Sequence, residues 1–304
     1  MKKSKIIFTL ILFMITPVLE LYAQYDFMYR GGSYAAVIDN IWRKEYRYTF
    51  LDRQRVERFI EHRNDPDYPY RNYLQSGTYT IDESTGVPFI TFYWDEIDIK
   101  DWTSRLPSII IEMNWHNREP DKYLMLVNQD MMVLYREENR SYFYGTYEIS
   151  GNSKKIDNWR FLDIDNVTAS NTLREEGVEY AATPDRLSFR AINRVWAVRG
   201  GINESLFIEK KINGFTYISI GYVSYADPAL YRENSRPKRI RISEIGSSSN
   251  FYIHELKDTP NFQEINLEDF GSNIQIEILE LYQGTKYNDT CINSLFYFPV
   301  PGQS

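Results

Sequence analysis

Thr78-Tyr79-Thr80-Ile81 runs into Asp82-Glu83-Ser84-Thr85-Gly86, and Val87-Pro88-Phe89-Ile90-Thr91-Phe92-Tyr93-Trp94 follows. The outer segments are rich in β-branched and aromatic residues, while the five residues between them are polar and end in glycine. That is the pattern of two antiparallel strands joined by a short turn. The same pattern recurs on both sides. Upstream, Tyr46, Tyr48 and Phe50 alternate with polar residues at the period of a half-buried strand, and Leu51-Asp52-Arg53-Gln54 turns the chain into a strand over 56–60. Downstream, strands are expected at 108–115 and 141–149, with a hairpin between them formed by 123–127, the turn Asn128-Gln129-Asp130 and 131–135. Successive hairpins without long helices predict an antiparallel meander closing into a small barrel or curved sheet.

The second half reads as strands at 205–211, 215–222, 238–243, 250–256, 274–281 and 291–298. Short strands with long irregular links predict a sandwich or jelly roll, so the fold class is all-β. Within 274–281 the apolar residues pass from one parity to both, which predicts a strand buried on two sides late in its course. Asp289 and Thr290 suit a turn bonded to its own backbone, Trp196 a core position, and Cys291 a small buried hydrophobe. The polar stretch Ser150-Gly151-Asn152-Ser153-Lys154-Lys155 reads as a linker or a hairpin turn, and the boundary is placed between Gly151 and Asp165, giving a β-rich domain at 24–158 and a jelly-roll domain at 165–299. Protease sensitivity is expected between about 151 and 171, the kind of exposed linker that proteases favour.

The first residues carry an address. Lys2, Lys3 and Lys5 precede an almost unbroken apolar run over 6–18, and Leu21-Tyr22-Ala23 places a small residue before Gln24. This three-part pattern is that of a secretory signal peptide at 1–23, with an apolar run too short to span a bilayer comfortably. Its removal takes away three Lys and one Glu, moving the formal charge from −7 to −9. The expected product is periplasmic or secreted, and not an integral membrane protein after cleavage. An acidic chain lacks the basic face that phosphate contacts need, so nucleic acid is not an expected partner. With Cys291 the only cysteine, an internal disulfide and a cysteine-cluster metal site are excluded.

In the first half, the succession of hairpins is similar to lipocalin-like bacterial domains. In the second half, the resemblance is carried by Ala169-Ser170, Trp196, Gly200-Gly201-Ile202-Asn203-Glu204-Ser205, Gly221-Tyr222 and Asn234-Ser235-Arg236-Pro237-Lys238, in that order. It is carried most specifically by Tyr282-Gln283-Gly284-Thr285-Lys286-Tyr287-Asn288-Asp289-Thr290-Cys291-Ile292, and closes on Phe296. These segments resemble the discoidin-like translocation domain of a secreted bacterial NAD glycohydrolase toxin, a galactose-binding-like jelly roll. Ile220 stands where that pattern usually has Asn, and Asn293-Ser294-Leu295 where it usually has Ser-Glu-Ile. Many discoidin-like relatives hold calcium through an Asp-rich loop before the Trp. The matching stretch here, Arg190-Ala191-Ile192-Asn193-Arg194-Val195, has no carboxylate, and calcium needs several oxygen ligands. In the toxin, NAD hydrolysis belongs to a separate catalytic domain, which nothing in this chain matches.

Catalytic constellations are scarce. His62, His116 and His254 lie outside chelating distance of one another in sequence, and His254-Glu255 lacks the second His of a zincin helix. Asp95, Glu96 and Asp98 beside Trp94 and Trp102 form the best glycosidase-like cluster, but a charged exposed loop is the far better explanation of them. The chain is therefore read as non-enzymatic, with no cofactor and no metal, binding a glycan or a cell-surface partner. The resemblance implies that the binding loops gather at one end of the jelly roll. They hold Tyr180, Arg199, Asn203, Tyr225, Tyr231, Arg232 and Tyr287. Tyr225, Tyr231 and Arg232 are the leading ligand-binding residues, because Ala226-Asp227-Pro228 marks an exposed turn beside them, and rings and guanidinium groups suit sugar faces and hydroxyls. The alternative is a periplasmic small-ligand carrier or interaction protein whose barrel does the binding while the jelly roll is structural.

Overall fold

A computed structural model describes residues 25, 28, 32–39, 44–62, 71–95, 120–128, 131–137, 140–149, 162–247 and 249–299. The expected leader, the strand expected at 108–115 and the polar stretch at 150–155 lie outside them, as do Glu96, Asp98, Trp102 and His116. The fold is all-β. Strands β1 (Gly32–Asp39), β2 (Lys44–Phe50), β3 (Arg55–His62), β4 (Arg71–Asp82), β5 (Phe89–Trp94), β6 (Asp121–Val127), β7 (Met131–Glu137) and β8 (Arg140–Ile149) form a closed barrel. Each pairs antiparallel with the next, and β1 pairs with β8, so no edge is left open. In the β4–β5 hairpin Thr78 faces Tyr93 and Asp82 faces Phe89. Its turn closes because Asp82 Oδ1 accepts the Ser84 N–H at 2.9 Å and Gly86 takes φ +91°.

Alternation along these strands sends one set of side chains into the barrel. Phe92 is the hub of that interior. The rings of Tyr48, Phe50, Tyr79, Trp94 and Tyr123 lie between 5.2 and 6.4 Å from it, centroid to centroid. Each such pair contributes about 0.5–1.5 kcal/mol beyond its burial. Tyr25 and Met28 are also buried in this cluster.

The second half contains β9 (Leu162–Asp163), β10 (Val167–Ala169), β11 (Arg174–Glu175), β12 (Val178–Glu179), β13 (Trp196–Arg199), β14 (Ser205–Ile208) and β15 (Gly214–Ile220). After these come a one-turn helix α1 (Leu230–Glu233), β16 (Arg236–Glu244), β17 (Phe251–Glu255), β18 (Gln263–Ile265), β19 (Ile274–Tyr282) and β20 (Asp289–Pro299). One sheet has the order β10-β14-β19-β16-β17; the other has β13-β20-β15-β18, with β9 also pairing β20. Between them lies an aliphatic core that includes Leu206, Ile240, Ile276, Ile218 and Ile292. Trp196 is fully buried there, with its indole N–H donating to the Asn171 carbonyl at 3.0 Å. Cys291 is buried too, and burial pushes its thiol well above the usual range.

Two expectations are overturned. In β19, buried and half-buried residues alternate from Ile274 to Ile278, and the strand stays half-buried from there to Tyr282. Its outer face is polar, with Glu280 pairing Lys238 and Arg239 across the strand and Glu277 pairing Arg241. The strand buried on both faces is β20, where every residue from Asp289 to Phe298 is buried. Asp289 and Thr290 open that strand rather than forming a turn, and they pair with Arg199 and Val198 of β13.

The reason for the double burial is the barrel. Ile292, Leu295 and Tyr297 face the sandwich core, while Phe296 and Phe298 face a second cluster. That cluster contains Val87, Phe89, Leu124, Leu126, Met131, Val133 and Tyr135 from the outside of the barrel, together with Phe189, Tyr217 and Phe262 from the jelly roll. Each half keeps a core of its own, and this third core joins them. Polar contacts cross it as well. The Tyr135 hydroxyl donates to the Phe189 carbonyl, and Asn261 Oδ1 accepts the Val127 N–H at 3.1 Å.

Candidate functional site

The free loops of the jelly roll gather at the end where β13 stops and β20 begins. Three segments meet there: the β11–β12 hairpin, the 200–204 loop and the 283–288 loop. Gly200 donates its N–H to the Asn288 carbonyl at 3.0 Å, and the Arg199 guanidinium reaches Glu175 at 3.0 Å. The 283–288 loop is tied to α1, where the Arg232 carbonyl accepts the Thr285 N–H and the Glu233 carbonyl accepts those of Lys286 and Tyr287. Gly201 takes φ +80°, and its missing side chain leaves room for Thr290, whose Cβ lies 2.5 Å from where a Cβ would stand.

This frame presents apolar groups to water beside charged ones. Ile202 is 52% exposed and Tyr287 40%, and Val178 is exposed on the hairpin. The Lys286 ammonium lies 4.8 Å from the Tyr287 ring centroid. Arg174 pairs Glu179 at 2.7 Å, and Arg199 stands 3.9 Å from Asp289. Burial holds the Asp289 carboxyl above the usual range, helped by the nearby Glu175 and opposed by Arg199. An exposed tyrosine beside an ammonium group, with the Arg199 guanidinium at the same loop end, is a surface that can stack on an apolar face and hydrogen-bond hydroxyls or anions. Among the described residues, no group of three or more His, Cys, Asp or Glu side chains converges as a metal site.

The residues singled out from the sequence fall into two groups. Arg199, Asn203 and Tyr287 belong to this loop end and are exposed; Tyr180 stands behind it, half-buried, with its ring edge-on to Tyr222. Of the three leading residues, Arg232 adjoins this end through its carbonyl, while Tyr225 and Tyr231 are turned away from it. Tyr231 is only 2% exposed, and its hydroxyl donates to Asp258 at 3.0 Å. The same carboxylate takes two bonds from Arg236, whose guanidinium lies 4.9 Å from the Tyr231 ring. Tyr231 therefore has no open face to offer a sugar; it anchors α1. Tyr225 packs edge-on against Phe89 of the barrel at 5.5 Å. Arg232 is exposed, but its Nε lies 2.6 Å from the position a Cβ on Gly86 would occupy. The turn at Ala226 and Asp227 is exposed as expected, yet the aromatic residues beside it face the barrel. Of the proposed glycosidase-like cluster, Asp95 and Trp94 are described. Asp95 is exposed, and its carbonyl accepts a bond from Gln75.

The chain is thus a closed barrel docked on a jelly roll, with the loops of one jelly-roll end exposed. Residues 163–298 match the family model of the NAD glycohydrolase translocation F5/8 type C domain, the discoidin-like class. The match covers the second half from β9 almost to the end of β20. No curated protein matches the chain.

Proposed function

We propose that the chain is an exported, non-enzymatic binding protein whose jelly roll engages a glycan or a glycan-bearing cell-surface partner through its free loop end. The observation that carries this reading is the position of the exposed loops. The barrel covers one sheet face of the domain that matches the translocation family, while Ile202, Tyr287 and Arg199 stay open at one end. A Lys-rich start, an apolar run and Ala23 support export, and N-terminal sequencing of the exported protein should begin at Gln24. No helix among the described residues is long and apolar enough to cross a membrane.

The test is a glycan and cell-wall binding screen on the whole mature chain, because the halves share a core. Tyr287→Ala and Arg199→Ala together are expected to weaken binding at least about tenfold, the loss of one stacked ring and one charge-assisted bond. If no glycan and no cell surface binds, the reading fails. If Tyr225→Ala with Arg232→Ala abolishes binding while the loop-end pair does not, the site lies at the edge of the junction instead.

A further inference from the structure

The inside of the barrel ends in a polar cluster that the jelly-roll reading does not use. It lies where β5 stops and β6 starts, opposite the turns that approach the jelly roll. Arg58 is buried there, 4.2 Å above the Trp94 ring, and donates to Gln75 Oε1 at 2.5 Å. Trp94 donates its indole N–H to Asp121 Oδ2 at 3.0 Å. Two guanidinium groups flank that carboxylate loosely, with Arg58 at 3.7 Å and Arg136 at 4.0 Å. Both separations are too long for hydrogen bonds. The Arg136 side chain is about half exposed.

Tyr123 completes the cluster. It is 9% exposed, its ring lies edge-on to Phe92, and among the described residues no group hydrogen-bonds its hydroxyl. Tyr48, Asp121, Arg136 and Arg58 are near enough to act on it electrostatically, and burial raises its phenol well beyond the usual range, so it stays a proton donor. Here it stands beside a rim guanidinium whose one described ion-pair partner is 4.0 Å away.

We propose that this end of the barrel binds a small organic monocarboxylate, its oxygens held by the Arg136 guanidinium and the Tyr123 hydroxyl, with Arg58 as the fixed cation behind them. A guanidinium fork and one phenol match the two oxygens of a carboxylate. Asp121 already supplies one negative charge, so a dianion such as a phosphate ester would meet it at short range. The site goes beyond the glycan reading and does not depend on it.

The test is calorimetric titration of the whole mature chain with benzoate and with hexanoate, using benzyl alcohol, hexanol and inorganic phosphate for comparison. At least one carboxylate is expected to bind saturably, the matched alcohol far more weakly, and phosphate not at all. Arg136→Gln is expected to weaken binding about ten- to hundredfold and Tyr123→Phe about two- to tenfold, the worth of a charge-assisted and a neutral hydrogen bond. Near-UV circular dichroism checks that both variants keep the native fold, and glycan binding should be unaltered in both. The proposal is overturned if neither carboxylate binds, if alcohol or phosphate binds as well as carboxylate, or if both folded variants bind like the parent. If Tyr123→Phe does not fold, Arg136→Gln decides alone.

Discussion

Truncating Leu126 to alanine separates a barrel that stands alone from one that shares a core. Leu126 points outward from β6. On a free-standing barrel it would meet water, and its truncation would change stability by no more than about 0.5 kcal/mol. Here it is fully buried in the cluster that joins barrel and jelly roll. Leu→Ala removes three carbons, worth roughly 2.4 kcal/mol in transfer alone at about 0.8 kcal/mol each. The cavity left in a close-packed junction brings the expected loss to about 2–5 kcal/mol. The assay is urea unfolding followed by far-UV circular dichroism, which reports both halves, and by tryptophan fluorescence, which reports mainly the barrel half because four of the six tryptophans lie in residues 24–158, together with calorimetry. The parent should unfold in one transition, and Leu126→Ala should shift both signals together. A change below about 0.5 kcal/mol, or a shift in the barrel signal alone, would refute a shared core.

Two further outcomes follow from local structure. His254 is half-buried on β17, and desolvation lowers its pKa below the ordinary imidazole value. The unfolded chain then binds the proton more readily, so stability should fall as pH drops through about 6.5 and level off below the folded pKa; His254→Gln should remove that part of the slope in urea melts at stepped pH, and an unchanged slope would assign it to other groups. Gly201→Ala places a side chain at φ +80° against Thr290 and should cost about 1–3 kcal/mol, whereas Gly200→Ala, at φ +78° with nothing within 4 Å, should cost less; equal losses in melting temperature would show that the contact with Thr290 is immaterial.

The hairpins were legible because each strand buries one face and each turn carries its own chemistry. Asp52 shows this plainly, its Oδ1 accepting the N–H groups of both Gln54 and Arg55 where the turn was expected. The junction was harder to read, although its signal was present. Tyr123-Leu124-Met125-Leu126-Val127 and Met131-Met132-Val133-Leu134-Tyr135 are unbroken apolar runs, the mark of strands buried on both faces. One parity fills the barrel and the other meets the jelly roll. Hairpin pattern alone does not tell such a run from an ordinary strand. Tyr231 was misplaced for a related reason. Its neighbours Asp227 and Arg232 are exposed, but Asp258, which draws its hydroxyl inward and holds Arg236 over its ring, stands 27 residues away with no local motif to connect them. The polar cluster of Arg58, Asp121, Tyr123 and Arg136 is likewise assembled from three strands, with no spacing to announce it.

The placement of β20 has a bearing on biogenesis. It follows every other described strand, yet its two faces complete the sandwich core and the junction, and its edges carry β13, β9 and β15. Neither sheet-to-sheet packing nor docking can finish before it is delivered. During synthesis or translocation from the N-terminus, Leu124, Leu126, Met131 and Val133 would form an uncovered apolar stripe on the barrel while some 150 residues are still to come. Contacts of such long sequence separation slow folding. The same topology that welds the two halves thus keeps the chain unfinished for longest, and makes that interval the one in which a chaperone matters most.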